Sequence, residues 1–296
     1  MEIINVSQVE PHRLRAMTKL ISDLQGPKRQ DIISLLQPEA LLAGNTSESA
    51  LSASKNTFRI AVDCRLVTDT DTENAEKVTA ALVTPEQVAT MTSFQQLMQN
   101  RVLGVNEENQ PNYLFNLYSA WYAVQDEKVF YELAVAGYDD PFNTEVFPDI
   151  TDDRRFNSTK FSAWRKWAVF LGLGWVARIG GRDILVPDAT VRLRSIIKQL
   201  FQDNETIRFG QFMEQLAIKC PELDEGNLFN YCWQASRGSE QRGNQVSLMV
   251  STGLRTLDGL KEIKLTEQAD ALNIWQLYPA AGNPIQRVTH IQRLGM

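Results

Sequence analysis

Histidine is nearly absent from this chain: His12 and His290 are the two among 296 residues, one near each end. General acid–base chemistry and metal binding lean on histidine, so most hydrolase layouts are excluded at once. The three cysteines, Cys64, Cys220 and Cys232, lie far apart and form no C-x-x-C. That argues against a zinc site and against a disulfide framework. No apolar run approaches the roughly 20 residues that cross a bilayer, and MEIINVSQVEPHRLR lacks the basic-then-apolar order of a secretory leader. A cytoplasmic location without membrane contact is therefore expected. There is no G-x-S-x-G, H-E-x-x-H or G-x-x-x-x-G-K-[ST]. The acidic pairs Asp139-Asp140 and Asp152-Asp153 read as loop residues rather than metal ligands. No catalytic residue, metal or cofactor is expected.

What is present is ordinary globular material with an uneven charge. Hydrophobic residues make up 43% of the chain, enough for real cores, and the length suggests roughly two domains. The net charge of −6 hides a sharp asymmetry. Residues 1–153 carry 11 basic and 23 acidic side chains, whereas residues 154–198 carry 10 basic and two acidic, a net of +8. Residues 199–296 return to −2. Local clustering, not the total, sets the potential that a polyanion feels. Residues 154–198 are thus expected to meet duplex DNA or an acidic protein surface.

The periodicities repeat one grammar, helices followed by a hairpin. Leu14, Met17, Leu20, Ile21 and Leu24 recur at helical spacing. Gly26-Pro27 breaks that helix, and Ile32, Ile33, Leu35 and Leu36 mark a second. SASKNTFRIAVDCRLV suits a third, with Ser54 as its N-cap and a hairpin after it. This order predicts a winged-helix-like domain over 1–84. Residues 85–153 read as a helical insert. It opens on Thr84-Pro85 with Gln87 at the third helical position, a capping-box signature. Tyr113, Phe115, Tyr118, Trp121 and Tyr122 are expected to be packing residues. A central basic unit over 154–204 and a further winged-helix-like domain over 205–278 follow. In the latter, KEIKL and ALNIWQLY are read as a wing hairpin and 279–296 as a tail. The fold class expected is mainly α with small β-hairpins, an α+β tandem of winged-helix units around a helical insert.

The segment FSAWRKWAVFLGLGWVARIGGRDILVPDAT has glycines that suggest a phosphate-binding loop. A dinucleotide fingerprint needs a strand before its glycines and a helix after them; here the order is reversed. At 100° per residue, Phe161, Ala163, Trp164, Trp167, Ala168, Phe170 and Leu171 cover one arc, and Ser162, Arg165, Lys166 and Val169 the other. Gly172 or Gly174 is expected to end the helix. Gly180-Gly181 between two apolar runs predicts a hairpin with Arg178 opposite Asp183.

The stretch KFSAWRKWAVFLGLGW…ILVPDATVRL, followed by STGLRTLDGL, resembles bacterial proteins of the DpdG type. The resemblance is strongest over 156–200 and weaker over 205–278. It implies clusters that insert 7-deazaguanine derivatives into DNA and restrict unmodified DNA, a phage-defence setting with partners such as a helicase or nuclease. It implies no catalytic residues. Two readings are therefore carried forward: a non-catalytic DNA-binding accessory subunit, and a protein-assembly scaffold without direct DNA contact. A transcription regulator is a weaker third. The candidate contacts are Lys55 and Arg59 in the first unit, Lys160, Arg165, Lys166, Arg178 and Arg182 in the basic unit, and Arg255 with Lys261 in the last.

Overall fold

The computed structural model describes residues 2–24, 26–38, 52–72, 75–80, 83–133, 137–148, 155–202, 204–268, 273–283 and 285–295. It is a helix-rich α+β protein with small antiparallel sheets. The chain divides into two compact units, residues 1–102 with 159–167, and residues 103–158 with 168–296.

The first unit opens with α1 (Pro11–Leu24), α2 (Arg29–Leu36) and α3 (Ser52–Asp63). α1 buries Leu14, Met17 and Ile21 on one face, as their spacing predicts, and leaves Leu24 outside. Strands β1 (Val67–Thr72) and β2 (Ala75–Ala80) then pair, Val67 against Ala80 and Thr72 against Ala75. Short helices α4 (Pro85–Ala89) and α5 (Met91–Val102) complete the run. The Gln87 side chain reaches back to accept from the Thr84 amide at 2.9 Å, closing the capping box that the sequence predicts. Ser54 is not the cap of α3; it lies inside the helix, buried, and donates to Gln37 Oε1 at 3.0 Å.

Later in the chain, helix α8 (Ser158–Leu171) supplies residues 159–167 to this unit. Ala163, Trp164, Trp167, Ala168 and Leu171 are buried and Lys166 and Val169 exposed, the two arcs expected. Trp167 Nε1 donates to the Val9 carbonyl at 3.1 Å, so even the polar edge of the indole is satisfied. The helix stops at Leu171; Gly172 follows at φ +84°, with the Leu173 amide bonding back to Ala168 O at 2.9 Å.

In the second unit α6 (Tyr113–Val124) is buried on every side from Leu114 onward, the mark of a core helix. Tyr118 stacks on Phe156 at 3.8 Å between centroids and meets Phe142 edge-on at 4.8 Å. Phe142 and Asn143 belong to α7 (Asp139–Val146). The Asn143 amide grips the Phe156 backbone in both directions, at 2.7 and 2.8 Å. The aromatic residues of α6 are thus packing residues, as expected. Strands β3 (Gly174–Ile179) and β4 (Arg182–Pro187) pair in the predicted register, with Arg178 opposite Asp183 and Ala177 opposite Ile184. Gly180 and Gly181 take φ of +58° and +80°, which a two-residue turn of this hand requires.

Next come α9 (Thr190–Phe201), β5 (Thr206–Arg208), α10 (Phe209–Lys219), α11 (Asn227–Arg237), α12 (Leu248–Gly259) and β6 (Ile263–Thr266). The last strands are β7 (Trp275–Gln276), β8 (Arg287–Val288) and β9 (His290–Arg293). The wing expected from KEIKL and ALNIWQLY is not formed. β6 pairs instead with β9, and β7 with β8. β9 lies at the centre of a three-stranded sheet ordered β5-β9-β6, so residues read as a tail complete it. Ile291 sits between Ile207 and Leu265 and is fully buried. Burying that one isoleucine on both partner strands outweighs the shorter connection that a local hairpin would have needed.

Candidate nucleic-acid interface

The third helix of the first unit presents a polar face. α3 buries Ser54, Thr57, Phe58, Ile60 and Ala61. Lys55 and Asn56 are half-buried and Arg59 is exposed. Positions 52, 55, 56, 59 and 63 share the side opposite the core, by helical spacing. Lys55 and Arg59 therefore stand four apart on a surface-facing stripe, as expected. Asn56 between them was not anticipated, although its place in the same stripe follows from the spacing. Beneath it, the Arg29 guanidinium lies 4.7 Å from the centroid of the Phe58 ring.

The third helix after β5 is different. α12 buries Met249, Val250, Ser251, Gly253, Leu254 and Leu257. Its Gly253 is so close to α9 that a Cβ would sit 2.8 Å from the Thr190 amide nitrogen; only glycine fits there. Arg255 is turned onto the chain itself. Its Nε and Nη2 donate to the Ile285 carbonyl at 3.2 and 2.9 Å, and burial lowers its pKa. Lys261 is exposed just beyond the helix end, at φ +61°.

Four of the nine described cations of the basic stretch 154–198 are matched by carboxylates from elsewhere in the chain. Lys166 Nζ is 2.6 Å from Glu10 Oε1, and that hydrogen bond holds the Glu10 carboxyl below its usual range. Arg155 meets Asp140 at 3.5 Å. Arg192 and Glu222 form a buried pair at 3.0 Å. Arg194 grips both oxygens of Glu262, at 2.6–3.0 Å. Lys160 is only 8% exposed and packs within α8. Arg165 is half-buried with its guanidinium 5.7 Å from the Phe161 centroid. Arg178 and Arg182 are exposed on the β3–β4 hairpin, the former opposite Asp183 and the latter in the pair that flanks the turn. Arg154 and the pair Asp152-Asp153 lie outside the described residues. Glu10, Asp140, Glu222 and Glu262 all come from outside the basic stretch, so its net of +8 overstates the charge that it presents.

One further polar centre carries no sequence signal. The N-terminus of α12 is held by two carboxylates. Asp126, at φ +51°, accepts from the Leu248 amide at 2.8 Å. Asp224 accepts from Ser247 N at 2.7 Å, from Ser247 Oγ at 2.5 Å and from Arg242. Burial, reinforced by the nearby Asp224 charge, pushes Asp126 up to about 7. A cavity of about 140 Å³ adjoins it, with Trp233, Arg242 and Tyr278 among its walls. The helix N-terminus accounts for both carboxylates as caps. Among the described residues no group of three or more histidine, cysteine or carboxylate side chains is placed to hold a metal.

The fold and this surface define a helix-rich α+β protein whose helix–hairpin units leave one polar helix face outward. The chain belongs to the DpdG-like family, whose model matches residues 1–271. Membership implies association with a 7-deazaguanine modification system. No curated protein and no solved structure shows a significant match. Among the described residues no helix is long and apolar enough to cross a membrane.

Proposed function

We propose that this chain is a non-catalytic, DNA-associating accessory component of a 7-deazaguanine modification and restriction system, and that its first unit carries the DNA contact. The observation behind this reading is the α3 face, with Lys55, Asn56 and Arg59 turned from the core. In a winged-helix unit the third helix enters the major groove, with its early residues nearest the base edges. α1, α2, α3 and the β1–β2 hairpin follow one another in that order. Lysine and arginine there suit phosphates or guanine, and asparagine suits adenine. The sheet order β5-β9-β6, with the last strand central, supports a winged-helix reading of the second unit as well.

Fluorescence anisotropy on nonspecific duplex DNA across a salt series tests the proposal. Binding is expected to weaken steeply with salt, and Lys55→Glu with Arg59→Glu to flatten the log–log slope by about 2, one released counterion per lost contact. Absence of binding at low salt, or a slope untouched by the double variant, would overturn it.

A second reading, an assembly scaffold, is favoured by one observation: four of the nine described cations of 154–198 pair with carboxylates from elsewhere in the chain, while the β3–β4 hairpin within that stretch exposes apolar side chains. In this reading the partners are other proteins of the cluster, such as a helicase or nuclease. Co-purification that survives nuclease treatment and the Lys55→Glu, Arg59→Glu substitutions would favour it.

A further inference from the structure

Strand β3 is an open edge with apolar side chains on both faces. Trp175, Val176 and Ile179 are 51%, 44% and 45% exposed. The other strand of the hairpin is covered: Ile184 and Leu185 are buried, and the Leu185 carbonyl accepts from the Tyr122 hydroxyl at 2.6 Å. That bond also sets the phase of the ladder. With the two-residue turn, the pairs Ile179–Arg182, Ala177–Ile184 and Trp175–Val186 exchange the hydrogen bonds. Leu185 and its partner Val176 then point their backbone groups outward, as do Asp183 and Arg178. The sheet has two strands, and among the described residues no other backbone bond reaches Val176 or Arg178. At Val176 and Arg178, two amides and two carbonyls therefore face out along β3. Folded proteins ordinarily cover such an edge or interrupt it with proline, a bulge or several charges; here Arg178 is the one charge on the strand.

We propose that β3 pairs antiparallel with β3 of a second copy of this chain, joining the two hairpins into one four-stranded sheet. The sequence GWVARI is self-complementary about Ala177. In that register Val176 lies opposite the partner's Arg178, and the reverse pair forms too, so all four outward backbone groups are satisfied. No arginine faces an arginine. Trp175 falls opposite the partner's Ile179 on the same face, an aromatic–β-branched pair of the kind that stabilises sheets. A register shifted by two residues either way sets Arg178 against the partner's Arg178 or leaves Arg178 opposite glycine.

The test is the association state of the full chain, free of DNA. Sedimentation is expected to show a reversible monomer–dimer equilibrium up to about 0.5 mM, within reach of weak association. Val176→Pro removes an outward amide without touching the ladder to β4 and is expected to leave a folded monomer. Ala177→Cys reads the register directly, because Ala177 faces the partner's Ala177 in a non-hydrogen-bonded pair, with Cα atoms at disulfide spacing. The native cysteines are all buried and stay out of the reaction. Ala177→Cys is expected to cross-link at least about tenfold faster than Arg178→Cys under mild oxidation. A wild-type chain that stays monomeric throughout would overturn the proposal; so would equal cross-linking at the two positions. If Val176→Pro fails to fold, the cross-linking comparison decides alone. Neither readout involves DNA, so failure here leaves the DNA proposal standing.

Discussion

Helices α3 and α12 both come third before a strand, yet they are used in opposite ways. α3 lays one face on its core and turns half-buried Lys55 and Asn56 and exposed Arg59 away from it. α12 is packed along most of its surface, and its one arginine satisfies a backbone carbonyl of its own chain. The difference lies in what surrounds each helix. α9 packs on α12 closely enough to require Gly253, and two buried carboxylates hold its N-terminus. Shared element order thus says where a reading helix could be, and burial says whether it is available.

Substitutions should separate the two helices by the size of their effect. Leu257→Ala, deep in α12, is expected to cost about 2–5 kcal/mol of stability, measured by chemical denaturation. The surface changes Lys55→Ala and Arg59→Ala in α3 should stay within about 0.5 kcal/mol. A large stability loss at Lys55 would erase the contrast.

Asp126→Asn should change the pH dependence of α12's anchoring. Asp126 has a folded pKa raised to about 7, so the folded state holds a proton that the unfolded chain has lost. Its contribution is thus greatest below the ordinary carboxylate range and declines as pH rises toward 7. Asparagine keeps an acceptor for the Leu248 amide without the charge. The stability gap between variant and wild type should therefore move in the variant's favour between pH 5 and pH 8. A gap that does not move would show that Asp126 titrates normally. Arg255→Ala should cost about 1 kcal/mol, the net worth of a hydrogen-bonded contact, with DNA affinity per folded molecule unchanged. Lys166→Ala should matter least, within about 1 kcal/mol for an exposed ion pair. Since Glu10 is held below its usual range, that small difference should vanish as pH falls through the Glu10 pKa.

Local features were the ones readable from sequence. The β3–β4 register follows from Gly180-Gly181 and the Arg178–Asp183 pair, and the α8 arcs follow from spacing alone. Lys160, expected as a surface contact, is instead buried, and its spacing holds the reason: it precedes Trp164 by four and Trp167 by seven, on the buried line of the helix. What was not readable is long-range. Four carboxylates from outside 154–198 pair with its cations. β9 closes a sheet with strands 24 to more than 80 residues earlier, which no window of periodicity reveals. Asp126 gains its shifted pKa only from burial beside Asp224.

The central claim is that α3, rather than the basic stretch 154–198, meets DNA. The most direct measurement compares two charge reversals in the same salt titration of duplex binding: Lys55→Glu with Arg59→Glu, and Arg165→Glu with Arg182→Glu. The α3 pair is predicted to flatten the log–log slope by about 2, while the second pair leaves it within error of wild type. A slope that survives the α3 reversal and collapses with Arg165 and Arg182 would contradict the account.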